Sequence, residues 1–181
     1  AKRIDSIVRR SAEDLVGSGM ASHEAKRELF QMFPQIKSFI DRYTLVGPMQ
    51  GRELVQLDDS HGRKSTFFKA NKVDSIEETI VSPELGLKGN IDVVVRASMS
   101  ETATSTPSNS LVGIELKTGH NQKPQPSHMA QLVLYTLKLQ ARYGLAEQTT
   151  DEQSMHANRA AVLLYLNSES LKAIHLAPSI P

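Results

Sequence analysis

The sequence predicts an α/β domain, and three observations carry that expectation. Over 4–43 the apolar residues recur at helical spacing. Two later runs, Ile91-Asp92-Val93-Val94-Val95 and Leu111-Val112-Gly113-Ile114-Glu115-Leu116, are apolar enough to be central strands covered on both faces. A helical segment at 128–143 then separates the second run from two further strand-like stretches, 161–166 and 171–176.

The elements follow in chain order. Ile4, Ile7, Val8, Ala12, Leu15 and Val16 define a first helix that stops at Gly17-Ser18-Gly19. A second helix starts after Ser22. Pro34 is expected to end it and to open a third, carrying Ile36, Phe39, Ile40 and Tyr43 on one face, because proline costs nothing at a first helical position. Short β-branched or aromatic runs at 54–57, 65–68 and 78–81 read as separate strands. The Ser- and Thr-rich stretch 98–110 and the Pro-containing stretch 119–127 read as surface loops. Ser127 is a candidate N-cap for the helix over 128–143, with Gly144 past its end and a polar stretch, 147–158, beyond. The chain therefore divides into a helical lead-in, 1–45, and a sheet core, 53–177, within one domain spanning 1–181.

Composition excludes several classes. At 181 residues and 39% apolar, one core is affordable. With 21 basic against 20 acidic residues the net charge is +1, too low for a histone-like wrapping protein, although a local basic groove remains open. No apolar run is long enough to span a bilayer, and no membrane association or signal peptide is expected. The chain has no cysteine, so disulfides, a thiolate nucleophile and Cys-ligated metal sites are excluded within it. Neither HExxH nor GxxxxGK[ST] is present, so a zinc hydrolase or ATPase is not expected from these residues. The chain begins without Met and stops at Ile180-Pro181, and is expected to be a piece of a longer protein.

Asp92 and Glu115 each sit inside an apolar run. A buried ionised carboxylate requires a cation, a metal or hydrogen bonds. Taken singly, each is better explained by an ion pair with a Lys or Arg on an edge strand. Lys117 shifts the balance: period-2 alternation puts it on the face of Glu115, with Leu116 on the other. Two carboxylates that meet at one end of a sheet would hold Mg²⁺ or Mn²⁺, since oxygen-only ligation suits these ions. A lysine beside them can orient a water and stabilise phosphorane charge. On the following helix His128, Gln131, Tyr135, Lys138 and Arg142, spaced 3, 4, 3 and 4 apart, form one polar stripe on an otherwise apolar surface. That stripe either lines a cleft or faces solvent.

The segment Ser82-Pro83-Glu84-Leu85-Gly86-Leu87-Lys88-Gly89-Asn90-Ile91-Asp92-Val93, then Glu115-Leu116-Lys117-Thr118-Gly119, then Gln131-Leu132-Val133-Leu134-Tyr135, resembles the RecB-like branch of the PD-(D/E)XK nucleases. Within it the chain is similar to the nuclease domains of eukaryotic replication nuclease–helicases, which trim Okazaki-fragment flaps and resect DNA ends. The resemblance implies a restriction-endonuclease-like core, a mixed central sheet flanked by helices. It implies that Asp92, Glu115 and the carbonyl of Leu116 hold the metal, that Lys117 serves the attacking water or the transition state, and that Gln131 and Tyr135 line the active site. Lys88, His128, Lys138 and Arg142 are then candidates for DNA contact. The implied activity is divalent-metal-dependent endo- or exonuclease cleavage of single-stranded or flap DNA, in the nucleus and also in mitochondria, with a single-strand-binding protein as partner. A 4Fe–4S cluster and a helicase motor are expected of the parent protein only, and these residues alone are expected to be deficient in activity. The competing expectation is a catalytically inactive DNA-binding or protein-docking module on the same fold.

Overall fold

The computed structural model describes residues 2–44, 54–59, 66–100, 102, 104–118, 125–143, 156–166 and 170–175. Three helices lead in: α1 (Lys2–Arg10), α2 (Ala12–Ser18) and α3 (Ser22–Tyr43). Six strands follow, β1 (Val55–Asp59), β2 (Thr66–Ser82), β3 (Leu87–Ser100), β4 (Ser108–Lys117), β5 (His156–Tyr165) and β6 (Ser170–His175), with α4 (Pro126–Tyr143) between β4 and β5.

The lead-in differs from the periodicity in two places. The first expected helix is two, α1 and α2, which meet at Ser11; Val16 is left exposed, while Ile4 and Val8 pack on Ala25 of α3. Gly19, at φ 71°, caps α2 in the left-handed region that glycine adopts without strain. Pro34 does not divide the second helix from a third. It lies inside a continuous 22-residue α3. Proline there removes one backbone hydrogen bond and crowds the preceding turn, a cost of about 3 kcal/mol. The two halves of the helix are held independently. Ala25 and Leu29 belong to the cluster with α1, whereas Ile36, Phe39 and Tyr43 pack against the sheet.

The strands form one mixed sheet in the order β1-β2-β3-β4-β5-β6. All neighbours are antiparallel except β4 and β5, whose parallel pairing requires a crossover, and α4 supplies it. β1 also pairs in parallel with β6 through Asp58↔Lys172 and Asp59↔Ala173, so the ladder closes on itself. This is the mixed α/β sheet with flanking helices that the sequence predicts, and it is consistent with a nuclease-like core. The runs at 65–68 and 78–81 are not separate strands: both lie in β2, which stays continuous by absorbing register shifts at Ala70/Lys72 and Val73/Ser75. The expected loop 98–110 is shorter, because β3 and β4 pair out to Met99↔Ser108. Gly144, 119–124 and 147–155 fall outside the described residues, and α4 already begins at Pro126, so Ser127 lies inside its first turn and is not the N-cap.

Alternation sorts the core into two faces. Val95, Val112, Ile114, Val162 and Leu164 pack with Tyr43 of α3, and Val94, Leu111, Ala161, Leu163 and Tyr165 with Leu132, Tyr135 and Leu139 of α4. Covered on both sides, β4 and β5 carry unbroken apolar runs rather than alternating ones. No helix among the described residues is long and apolar enough to cross a membrane.

Because the halves of α3 are anchored separately, restoring the missing backbone donor should strengthen the helix. Pro34→Ala is expected to stabilise the protein by about 1–3 kcal/mol, read as a rise in Tm. An unchanged or lower Tm would mean that the proline ring itself is needed by the packing.

Candidate active site

The site forms where the sheet stops pairing. The β3–β4 ladder ends at Val93↔Ile114, whose side chains lie in the α3-side cluster or against it. One residue further along each strand stand Asp92 and Glu115, opposite each other and therefore on the α4 face. With the ladder ended, the Leu116 N–H has no strand partner there, and it donates instead to Asp92 Oδ2 at 2.9 Å. A carboxylate thus takes the place of a backbone carbonyl and is fixed by doing so.

Tyr135 reaches this pair from α4. Its hydroxyl donates to Asp92 Oδ1 at 3.1 Å, and it also lies against Glu115. Burial first, and then the Glu115 and Asp92 carboxylates, push the phenol far above its ordinary 10.0, so Tyr135 is a permanent donor. Gly113 makes this approach possible. A Cβ there would meet Tyr135 Cβ at 3.4 Å and Ile91 Cγ2 at 3.5 Å, and any larger side chain would push the ring away from β4.

Glu115 is 3% exposed. Lys117, on the same face of β4, pairs with its Oε1 and donates to Gln131 Oε1 at 2.9 Å. The lysine is thereby stretched between strand and helix. The second oxygen of Glu115, Oε2, is buried and accepts no hydrogen bond from any described residue. Leaving a buried charged acceptor unsatisfied costs at least about 1–3 kcal/mol. This orphan oxygen, beside a second carboxylate, is the feature expected of a cation site whose ligands are protein oxygens.

The donor set fits Mg²⁺ or Mn²⁺. It comprises two carboxylates, with the Leu116 carbonyl available at the same strand end, and leaves the remaining positions to water, as these ions prefer. Among the described residues no group of three or more His, Cys, Asp or Glu side chains gathers, which disfavours an all-protein cage.

The middle of the helical stripe is turned inward, while Arg142 at its end is exposed. Gln131 and Tyr135 face the strand end, and Lys138, one turn on, is 6% exposed. Lys138 Nζ lies 5.5 Å from the centroid of the Tyr135 ring, and a Cβ on Gly89 of β3 would come within 2.6 Å of it. Burial holds this ammonium below the ordinary lysine value, and Glu115 pulls it partly back. The candidate DNA contacts are not gathered into one patch. Lys88 is exposed on the β2–β3 hairpin. His128 Nδ1 is 3.0 Å from the Tyr165 hydroxyl, on the β5 residue paired with Lys117. Arg142 lies at the far end of α4, where it and Tyr143 both engage Glu78 of β2. Lys138 is interior, not on an exposed face, because the helix turns that side to the sheet.

Gly89, Gly113, Tyr165 and Glu78 were not singled out by sequence reasoning. A glycine inside an otherwise apolar strand signals close approach of another element, and Gly113 carried that signal. Glu78, in a polar stretch of β2, carried none.

Residues 1–97 match the family model described as DNA replication factor Dna2. The chain is 30% identical over 169 residues to the DNA replication ATP-dependent helicase/nuclease dna2 of Schizosaccharomyces pombe, an alignment covering 93% of the chain and 10% of that protein. It is 29% identical to the helicase/nuclease JHS1 of Arabidopsis thaliana, covering 76% and 10%, and 28% identical to the helicase/nuclease DNA2 of Homo sapiens, covering 74% and 13%. The chain spans about a tenth of the length of these relatives.

Tyr135, Tyr143 and Tyr165 all have raised values, burial being the first cause in each. The stabilisation from keeping these phenols neutral is complete below pH 10.0 and is lost as pH rises through their higher folded values. In an alkaline titration followed by phenolate absorbance, Tyr135→Phe is expected to delete a component ionising above pH 10.0. Loss of a component at or below that pH would contradict the burial of its hydroxyl between the carboxylates.

Proposed function

The chain belongs to the DNA replication factor Dna2 family, and from that premise we propose that it forms the divalent-metal-dependent nuclease core of a longer replication and repair enzyme. Its substrate in this reading is single-stranded DNA or a single-stranded flap, as in Okazaki-fragment maturation and end resection. The relatives are named as replication helicase/nucleases, and the chain carries the Asp…Glu-x-Lys…Gln-x-x-x-Tyr series by which it resembles the RecB-like PD-(D/E)XK enzymes. The observation that carries the reading is the buried Oε2 of Glu115, opposite Asp92 and without a partner among the described residues.

Each residue has a role within that arrangement. Asp92, Glu115 and the Leu116 carbonyl would hold Mg²⁺ or Mn²⁺. The cation, when bound, supplies Lewis-acid stabilisation of the phosphate and lowers the pKa of water at the site. Lys117, held between Glu115 and Gln131, presents an ammonium to the attacking water and to the charge that develops on the phosphorus oxygens. Tyr135 fixes Asp92 by donating to it, and the Leu116 N–H does the same from the other side. Gln131 keeps Lys117 from collapsing wholly onto Glu115. None of these groups reads base identity, so cleavage depends on backbone access rather than sequence.

The wider setting follows the same premise. A single-strand-binding protein is the expected partner, and the nucleus, with mitochondria in addition, the expected compartment. A 4Fe–4S cluster and the ATP-driven motor belong to the parent protein, the chain itself having no cysteine.

In the parent protein with Mg²⁺, Asp92→Ala and Glu115→Gln are each expected to lower the single-turnover rate on flap DNA by about a thousandfold or more. Affinity for the same DNA should stay within about threefold, since the phosphate contacts persist. Wild-type rates in either variant would remove these carboxylates from the chemistry. Lys117→Ala should reduce the rate far more than the affinity; an unchanged rate would leave Lys117 as a structural partner of Glu115. A wild-type protein that binds flap DNA without cutting it would instead favour the inactive binding module.

A further inference from the structure

Lys138 is the one charge at the site to which the proposed chemistry gives no task. It is 6% exposed, and among the described residues it has neither a hydrogen bond nor an ion pair; its ammonium rests against the Tyr135 ring. A lysine can usually lift its head to solvent along its flexible stem. Here the head lies beside the backbone of Gly89, where an added Cβ would stand 2.6 Å from Nζ. The position is built, and it lies within electrostatic reach of Glu115.

Charge arithmetic gives the position a consequence. Asp92 and Glu115 contribute two negative charges and Lys117 one positive, which leaves the strand end at −1. Lys138 brings it to zero. We propose that Lys138 is a built-in counter-cation that lies in the field of Glu115 and so holds down the affinity of the free site for a divalent cation. In a medium of low effective dielectric, like charges a few ångströms apart repel strongly, and a divalent ion feels the repulsion twice over. The same charge raises a loaded site from +1 to +2, strengthening the positive sign that a phosphodiester meets. This inference rests on the reading of Asp92 and Glu115 as metal ligands.

The test is a Mn²⁺ titration of the whole chain without DNA, with free Mn²⁺ read by electron paramagnetic resonance. Lys138→Met keeps the stem and the contact with Tyr135 but removes the charge, and it is expected to lower the Mn²⁺ Kd by about tenfold. Gly89→Ala provides a second route, because the added methyl must displace the flexible ammonium. It should shift the Kd when Lys138 is present and leave it unchanged in the Lys138→Met background. Unchanged or weaker Mn²⁺ binding by Lys138→Met, with a native circular dichroism spectrum, overturns the proposal. Equal shifts from Gly89→Ala in both backgrounds overturn it as well. If wild type and Asp92→Ala bind Mn²⁺ alike, the metal-ligand reading itself fails and takes the proposal with it. Binding lost in Asp92→Ala but unaltered in Lys138→Met sinks the counter-cation alone.

Discussion

A carboxylate buried at the end of a strand is the constraint on which the rest of the site depends. Glu115 is almost wholly removed from water, and an ion in that position must be compensated by what surrounds it. Lys117 answers one of its oxygens, and nothing described answers the other. The packing that buries Glu115 is ordinary: α4 lies across β4 and β5 because Leu132, Leu139, Leu163 and Tyr165 have one cluster to fill. The polar residues on the same side of α4 are thereby carried to the strand end whether or not they are apolar enough to belong there. Fold energetics thus deliver Gln131 and Tyr135 to the carboxylates, and the electrostatics decide what else the site must hold.

The parallel β4–β5 pair matters for the same reason. A parallel neighbour requires a crossover, and the crossover here is the helix that completes the site. The antiparallel β3–β4 pair contributes by ending early. Its last pair leaves Asp92 and Glu115 facing each other past the ladder, with the freed N–H of Leu116 claimed by Asp92. Site and ladder end are one feature: the backbone N–H that the β3–β4 ladder gives up is the one that fixes Asp92.

Much of this was legible in the sequence because it depends on period. Asp92, Glu115 and Lys117 are conspicuous as charges in apolar strands, and the spacing of Gln131, Tyr135 and Lys138 defines one helix face irrespective of tertiary context. Where the reading failed, a long-range contact overrode a local rule. Pro34 breaks helices by default, yet α3 continues through it because its two halves are anchored on different clusters. The bulges that join two short runs into β2 are matched to β3 and have no local signature. For Lys138 the helical spacing leaves open whether its stripe lines a cleft or faces solvent. Its burial depends on the absence of a side chain at Gly89, on another element.

In the proposed reading the Glu115 oxygen that no described residue satisfies and the carboxylate of Asp92 hold one divalent cation. Anomalous diffraction from crystals soaked in Mn²⁺ tests it most directly. A single peak is expected between the Glu115 and Asp92 carboxylates, within coordinating distance of both. A saturating soak that leaves this position without a peak, or that places the metal away from both carboxylates, would contradict it.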